Sequence, residues 1–348
     1  MTAPTIHVPV LMEPVLRGCG FGVPSSDASE PQNVPQATES DAPSRPLLIV
    51  DGTLGGGGHA LQLAQHLSPR DTLIGIDRDP QAIQRFIARL EREHGIAIAA
   101  DPTREPGEAW IGALPSGCRL HLVCGSYCEL PEFLASQSAD SGMPRTADAI
   151  LLDLGLSSDQ LQDTERGFSF RTSGPLDLRF DPERGISAAE LLKRRSEEDI
   201  ANLIYQFGEE RFSRRIARAI VERRRTDPIE TSEELADLVH RCVPGRVHGR
   251  VDSATRTFQA LRIAVNGELD HVQRAMELLP DCLSPGGRLV IISFHSLEDR
   301  IVKHAMRNDP RLRVLTKKPI EADDEEVRTN PRSRSAKLRI AERLASPR

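Results

Sequence analysis

The sequence predicts an α/β fold, a doubly wound parallel sheet interrupted by a helical domain. Three observations carry this. Short apolar runs alternate with helix-like segments, as strands buried on both faces of a sheet require. A glycine-rich loop, Asp51-Gly-Thr-Leu-Gly-Gly-Gly-Gly-His59, follows the first such run and opens a helix-like pattern. Between Ser158 and Asp252 the strand-like runs stop and helix-like segments take over.

The elements follow in order. Leu47–Asp51 reads as the first strand, and Ala60–Leu67 continues from the glycine loop as a helix. Thr72–Asp77 is the second strand, followed by a helix over Pro80–Glu93. Arg119–Cys124 and Ala149–Leu154 are the third and fourth, and Arg288–Phe294 is the fifth, after the turn Ser284-Pro-Gly-Gly. Arg311–Leu315 and Lys337–Ala341 form a closing pair, which makes a seven-stranded sheet. The intervening helices are Ser187–Arg195, Glu197–Phe207, Glu209–Arg225 and Ser232–Cys242, with Ser187, Ser196 and Ser232 as N-caps. Residues 1–162 and 265–348 thus make the α/β domain and 163–264 the inserted helical one. Three stretches rich in Pro, Ser, Ala and Asp, about 19–45, 99–117 and 136–146, read as flexible surface inserts.

Bulk properties narrow the function classes. A chain of 348 residues, 39% hydrophobic and 28% charged, is large enough for two domains with ordinary cores. No apolar run approaches the roughly 18 residues of a membrane span, and the N-terminus lacks a secretory pattern; a cytoplasmic location is expected. Six scattered cysteines without a Cys-x-x-Cys pair indicate reduced thiols, and no metal site is expected. The net charge of −6 argues against nucleic acid until its distribution is considered. Residues 163–264 carry 19 Arg and Lys against 18 Asp and Glu, and the rest carries 26 against 33. Arginine supplies nearly all the positive charge of the middle segment, and its planar fork suits phosphate.

The glycine loop makes the chain a candidate cofactor-using enzyme. Glycines let the backbone approach a ligand and adopt dihedrals closed to other residues. Asp77, 20 residues beyond Gly57, ends the second strand, where a carboxylate accepts hydrogen bonds from ribose hydroxyls. That spacing serves NAD and S-adenosylmethionine alike. Asp51 at the mouth of the loop would repel a pyrophosphate and welcome a cationic ligand, and the loop ends in His59 rather than continuing as a dinucleotide fingerprint. Both features favour S-adenosylmethionine; a tight turn without a ligand is the plain alternative. Asp153, in Leu151-Leu-Asp-Leu-Gly-Leu-Ser-Ser-Asp-Gln160, ends the fourth strand, placed to accept a hydrogen bond from an exocyclic amine or simply to cap a turn.

Several long motifs resemble the family of bacterial small-subunit rRNA cytosine-N4 methyltransferases, RsmH or MraW. They are His7-Val-Pro-Val-Leu-Met-Glu13, Asp51–His59, Gly75-Ile-Asp-Arg-Asp-Pro80, Leu151–Gln160, Glu165-Arg-Gly-Phe-Ser-Phe170, Gly174-Pro-Leu-Asp-Leu-Arg179, Gly208-Glu-Glu-Arg-Phe212, Thr255-Arg-Thr-Phe-Gln-Ala260, Ser293-Phe-His-Ser-Leu-Glu-Asp-Arg300 and Asn330-Pro-Arg-Ser-Arg334. The likeness covers nearly the whole chain outside the inserts. It implies a Rossmann-like S-adenosylmethionine methyltransferase domain with an inserted helical domain. It further implies N4-methylation of a cytidine in the decoding centre of 16S rRNA, within a small ribosomal subunit or its precursor. By matching motifs, Gly57, Gly58, His59, Asp77, Tyr127, Asp153 and Gln160 would contact the cofactor. Tyr127 stands where the family usually has Phe, and either ring can carry an adenine. The 308–330 segment is shorter than in familiar members, which removes support for substrate contacts from it.

On the substrate side, Arg211, Arg215, Arg218 and Arg225 recur on one face of a predicted helix whose other face carries Phe212, Ile216 and Ile220. The arginines could track phosphates or form a solvated face. Aromatic content of 4% disfavours extended base stacking but suffices for one flipped cytidine. His295 and Ser296 could line a base pocket, with His295 beside Asp153 as a catalytic candidate, and Arg300 could bind phosphate; a loop braced by its own hydrogen bonds is the alternative. Asn266, Glu268, His7 and Glu13 are weaker candidates near the cleft, and self-association as a homodimer stays open.

Overall fold

The computed structural model describes residues 9–22, 45–105, 107–137, 142–170, 174–244 and 252–345. His7, and with it most of the first insert, lies outside them. The chain divides into two compact units, one made of Met1–Gly155 with His271–Arg348 and the other of Leu156–Asp270. These limits lie outside the expected 163–264.

The first unit is built on one mixed sheet. Its strands are β1 (Leu48–Asp51), β2 (Thr72–Asp77), β3 (Ala99–Ala100), β4 (Ala109–Ala113), β5 (Arg119–Cys124), β6 (Ala147–Asp153), β7 (Leu283–Ser293), β8 (Leu312–Val314) and β9 (Lys337–Arg343). They lie in the order β3-β4-β5-β2-β1-β6-β7-β9-β8. The central five, β5 to β7, are parallel, while β4 and β9 run antiparallel to their inner neighbours. The helices in this part of the chain are α1 (Met12–Gly18), α2 (Gly58–Ala64), α3 (Pro80–His94) and α4 (Leu130–Ser136). Those of the middle segment are α5 (Ser158–Gln162), α6 (Ala188–Arg194), α7 (Glu197–Gly208), α8 (Ser213–Arg223), α9 (Ser232–Cys242) and α10 (Thr255–Asn266). They are followed by α11 (Glu268–Cys282), α12 (Ser296–Asn308) and α13 (Asp324–Thr329).

The strand count corrects the expected seven. The extra pair, β3 and β4, comes from the 99–117 segment expected to be a flexible insert. Ala109 to Ala113 pair with Val123 to Arg119, and Ala99 and Ala100 pair with Ile111 and Trp110. Trp110 of this insert packs against the core together with Ile96 and Ile98 just before it, and this apolar surface supports the extension of the sheet. The Ser284-Pro-Gly-Gly turn is in fact a bulge inside β7. The register with β6 jumps from Ala147↔Leu283 to Ala149↔Arg288, and Gly286 takes φ 81.

Alternation along each strand builds a core on either face of the sheet. Ile49, Leu73, Leu151, Val290 and Ile340 pack with α1, α2 and α3 residues such as Val15, Leu63 and Phe86. Leu48, Val50, Ile74, Ile150, Leu152 and Ile291 pack on the other face with Phe133, Val272, Met276 and Val302. All six cysteines are free thiols, and five are buried.

The second unit has its own core, including Leu192, Ile200, Ile204, Ile216, Ile220, Leu235, Val239 and Leu261. Ser187 and Ser196 cap α6 and α7 as expected. The cap of α9 is Thr231, not Ser232: its hydroxyl accepts from Glu234 N while Glu234 Oε2 accepts from Thr231 N, a reciprocal box that Ser232, buried inside the helix, cannot make. The helix expected over Glu209–Arg225 begins only at Ser213, because Glu209 takes φ 50 and ends α7. Two sequence motifs are braced here. Leu178, at φ 63, donates to Arg166 O, and its own carbonyl accepts from Asn266 Nδ2 at 2.7 Å. Asn266 Oδ1 in turn accepts from Phe180 N at 2.8 Å.

Candidate active site

Three adjacent parallel strands end in aspartate: β2 in Asp77, β1 in Asp51 and β6 in Asp153. β1 lies at the point where the strand order reverses, and in open α/β sheets ligands bind beyond the carboxyl ends at such a point. Register puts Asp51 level with Gly75 and Leu151, so Asp77 and Asp153 each project two residues further along their strands.

The glycine loop is shaped by its neighbours. Gly57 takes φ 72, and a Cβ there would lie 2.1 Å from the Phe86 ring, so no other residue fits without moving α3. A Cβ on Gly52 would lie 2.5 Å from Leu152 Cδ2 and 3.1 Å from Tyr127 Cβ. Gly55 N donates to Asp77 Oδ2 at 2.7 Å, and Asp79 N donates to Asp77 Oδ1 at 2.9 Å. The loop is thereby tied to the second strand's carboxylate before any ligand is considered. Asp79, fully buried, accepts from Gln81 N and caps α3, whose first residue is Pro80.

Asp51 is 1% exposed; its Oδ1 accepts from Thr53 N, while Oδ2 is buried without a partner. Asp153 N donates to Thr53 Oγ1 at 2.6 Å, and its own Oδ1 is likewise buried without a partner. Burial pushes Asp51 up to about 6, against the lowering effect of His59, and Asp77 up to about 6, against its two backbone hydrogen bonds. Burial pushes Asp153 up to about 7, with Arg332 lowering it and Glu298 raising it. His59, 5% exposed, places Nε2 2.9 Å from Val10 O and Nδ1 3.6 Å from Asp153 Oδ2. Burial lowers its pKa.

Tyr127 starts a 3₁₀ turn capped by Ser126, and its ring meets His271 edge-on, with centroids 6.4 Å apart. Ser126 Oγ lies 3.2 Å from His271 Nδ1. With Gly52 close to its Cβ, Tyr127 belongs to the same corner of the sheet as the three aspartates.

His295 has a different environment. Its Nδ1 accepts from Glu298 N at 3.3 Å, so it caps α12, and Nε2 lies 3.2 Å from Glu298 Oε1. Glu298, 1% exposed, accepts in return from Phe294 N. Nδ1 is thus used in capping, whereas Nε2 is buried without a hydrogen-bond partner. Asp299 of the same motif binds Arg339 of β9, while Ser296 and Arg300 are exposed. Glu13 pairs with Arg17 within α1.

In the second unit, Gln160 is buried and used locally. Its Oε1 accepts from Ser157 N, and its own N–H donates to Ser157 Oγ, a capping box for α5. Glu268 holds Arg262 through two hydrogen bonds of 2.7 and 2.8 Å. Ile216 and Ile220 are buried as expected, and Arg211, Arg214, Arg215, Arg218 and Arg225 are exposed. Arg211 stacks on Phe212, Arg215 donates to Arg241 O at 3.4 Å, and Arg218 lies 3.7 Å from Glu197.

Sequence reasoning missed Thr53, which holds the Asp153 backbone, and the partners Val10, Glu298 and Arg332. Only the Asp79-Pro80 pair had a local signal, the aspartate N-cap followed by proline.

The site can therefore accept hydrogen bonds from a cationic or amine-bearing ligand through open carboxyl oxygens, beside a loop in which Gly52 and Gly57 leave no room for a Cβ. The MraW methylase family matches residues 5–108 and 113–344. A protein called ribosomal RNA small subunit methyltransferase H from Rhodopirellula baltica is 48% identical over 307 residues, covering 86% of each chain. Proteins of the same name from Synechococcus elongatus and Sorangium cellulosum are 45% and 47% identical, covering 92% and 85% of this chain and 98% and 85% of their own. Among solved structures, an rRNA methylase from Streptococcus thermophilus aligns at 12% identity and a TM-score of 0.36 over 86% of this chain and 88% of its own, too distant to carry an argument.

Proposed function

This chain belongs to the MraW methylase family, and we propose that it transfers a methyl group from S-adenosylmethionine to the N4 amine of a cytidine in the decoding centre of 16S rRNA. The carrying observation is the row of three strand-end aspartates, two of which keep a buried oxygen without a partner. Such oxygens call for hydrogen-bond donors. The amino group of the cofactor's methionyl part, its ribose hydroxyls and the exocyclic amine of a cytosine supply donors of the right kind. A dinucleotide supplies a pyrophosphate instead, which buried Asp51 would repel.

In this reading Asp77 holds the ribose and Tyr127 carries the adenine ring. Gly57, Gly58 and His59 border the cofactor, Asp51 faces its cationic part, and Gln160 is a further contact by its place in the family's motif. When bound, S-adenosylmethionine supplies an electrophilic methyl group on a positively charged sulfur. The lone pair of a cytosine amine is delocalised into the ring, so orientation and proton removal supply most of the rate. Asp153 accepts a hydrogen bond from that amine, aligns its nitrogen and takes up its proton. The helical unit acts as a substrate-recognition domain, Arg211, Arg215 and Arg218 on it and Arg300 on α12 contacting RNA phosphates.

Mass spectrometry of small-subunit rRNA from a strain lacking the protein tests the assignment. Loss of the N4-methyl group from the decoding-centre cytidine is expected; its persistence rejects the substrate. Calorimetric titration with S-adenosylmethionine and with NAD separates the two cofactor readings.

A further inference from the structure

We propose that His59 is the proton-accepting partner of Asp153, the two side chains forming a buried pair that carries the proton shed by the substrate amine. The inference rests on the methyltransferase reading for its substrate and on geometry for the pair.

The tautomer of His59 follows from its contacts. Nε2 lies 2.9 Å from the carbonyl oxygen of Val10, which can only accept, so Nε2 carries the hydrogen. Burial disfavours a second proton on the ring. Nδ1 therefore presents a lone pair, and it faces Asp153 Oδ2 at 3.6 Å. That separation exceeds a made hydrogen bond, and catalytic hydrogen bonds commonly tighten only when the substrate is seated. On closer approach, one proton between the lone pair and the carboxyl oxygen would remove their repulsion and join them in a hydrogen bond. Asp153, held toward neutrality by burial, supplies the means of sharing it.

Other charged groups bear on the pair. Asp51 and Glu326 both act on His59, Asp51 also feels Asp153, and Arg332 lowers and Glu298 raises the Asp153 pKa. Val10 is itself fixed: the next residue, Leu11, takes φ 52 and donates its N–H to Glu326 Oε1 at 2.7 Å. The segment before α1 thus orients the imidazole, as a carbonyl partner does for catalytic and metal-binding histidines.

The step balances. As the bond from the amine nitrogen to the methyl carbon forms, the carbon–sulfur bond breaks with its electron pair left on sulfur. The nitrogen is then left with one proton too many, which passes to Asp153 Oδ1. The proton between Oδ2 and Nδ1 shifts onto His59, so Asp153 takes up the new one without holding two. His59 acts through Asp153 and is a positioning residue rather than a catalytic one.

Imidazole ¹⁵N NMR of the whole protein, without cofactor or RNA, tests the pair directly. The Nε2–H tautomer of His59 is expected near neutral pH. In Asp153→Asn, which cannot share a proton with the ring, the titration of Nδ1 should shift by about one pH unit or more. An Nδ1–H tautomer, or a titration unchanged in Asp153→Asn, overturns the proposal. His59→Gln supplies a second readout, because its amide can still donate to Val10 O but has no base facing Asp153. Its kcat at saturating S-adenosylmethionine should fall about 10²-fold; unchanged kcat overturns the proposal. If the wild type methylates no small-subunit RNA, the functional reading fails while the NMR result still decides the pair.

Discussion

The ends of β2, β1 and β6 and the exposed face of α8 offer contrasting ways to hold a charged ligand. At the strand ends, register fixes the backbone and burial fixes the side chains: Asp51, Asp77 and Asp153 end neighbouring strands, and their pKa values rise because water is excluded. On α8, Arg214, Arg215 and Arg218 are exposed, and Arg215 and Arg218 reach local partners only at long range. The first arrangement is preorganised and suited to chemistry, where small displacements are costly. The second is adaptable and suited to a polyanion whose charges are evenly spaced and sequence-independent.

The largest effect that tests this contrast is on turnover. Asp153→Ala should lower kcat by about 10²–10⁴-fold while leaving RNA affinity within a few-fold; single-turnover methylation alongside filter binding checks both, and equal losses in the two assays would break the division of labour. A smaller effect is expected on α8 and at Arg211 just before it. Replacing Arg211, Arg215 and Arg218 together by alanine should weaken RNA binding, with the slope of log affinity against log salt falling by about one for each phosphate no longer engaged. S-adenosylmethionine affinity should not move, and a matching loss there would mean that the helix serves the pocket rather than the RNA.

The smallest effect is graded with pH. Asp51 and Asp77 are raised to about 6 and Asp153 to about 7. A cationic methyl donor favours ionised carboxyls, so its affinity should rise as pH rises through this range and level off above it. On stability the same shifts act in reverse. Each folded-state pKa lies above the unfolded value, so the native state without ligand binds these protons more tightly. On account of these three groups it loses stability as pH rises from about 4 to about 7. Calorimetric titration and thermal melts across that range check the two trends; cofactor affinity that falls with rising pH would contradict a cationic ligand at these carboxyls.

The strand-end site was legible because each of its aspartates closes an apolar run, and a run of that kind ends where the sheet does. Gly57 was legible as a glycine, although the reason for it, the Phe86 ring, lies 29 positions downstream and leaves no local trace. His295 was ambiguous because histidine before Ser-Leu-Glu suits either a pocket or a cap; in the fold its Nδ1 caps α12 while Nε2 is buried without a hydrogen-bond partner. The 99–117 segment misled because its Pro, Gly and charged residues mask Trp110 and Ile111, which find partners on β3 only through long-range pairing. Thr53 could not be seen at all: its hydroxyl matters for a backbone N–H 100 residues away.

The outermost strands of the sheet are stubs, β3 of two residues and β8 of three. A sheet that stops this way gives a neighbouring molecule almost no main-chain template to extend. Copies of this chain that meet at high concentration therefore gain little from edge-to-edge pairing. The segment expected to be a loose insert gives the mixed sheet instead a blunt terminus, poor as a template for a further strand.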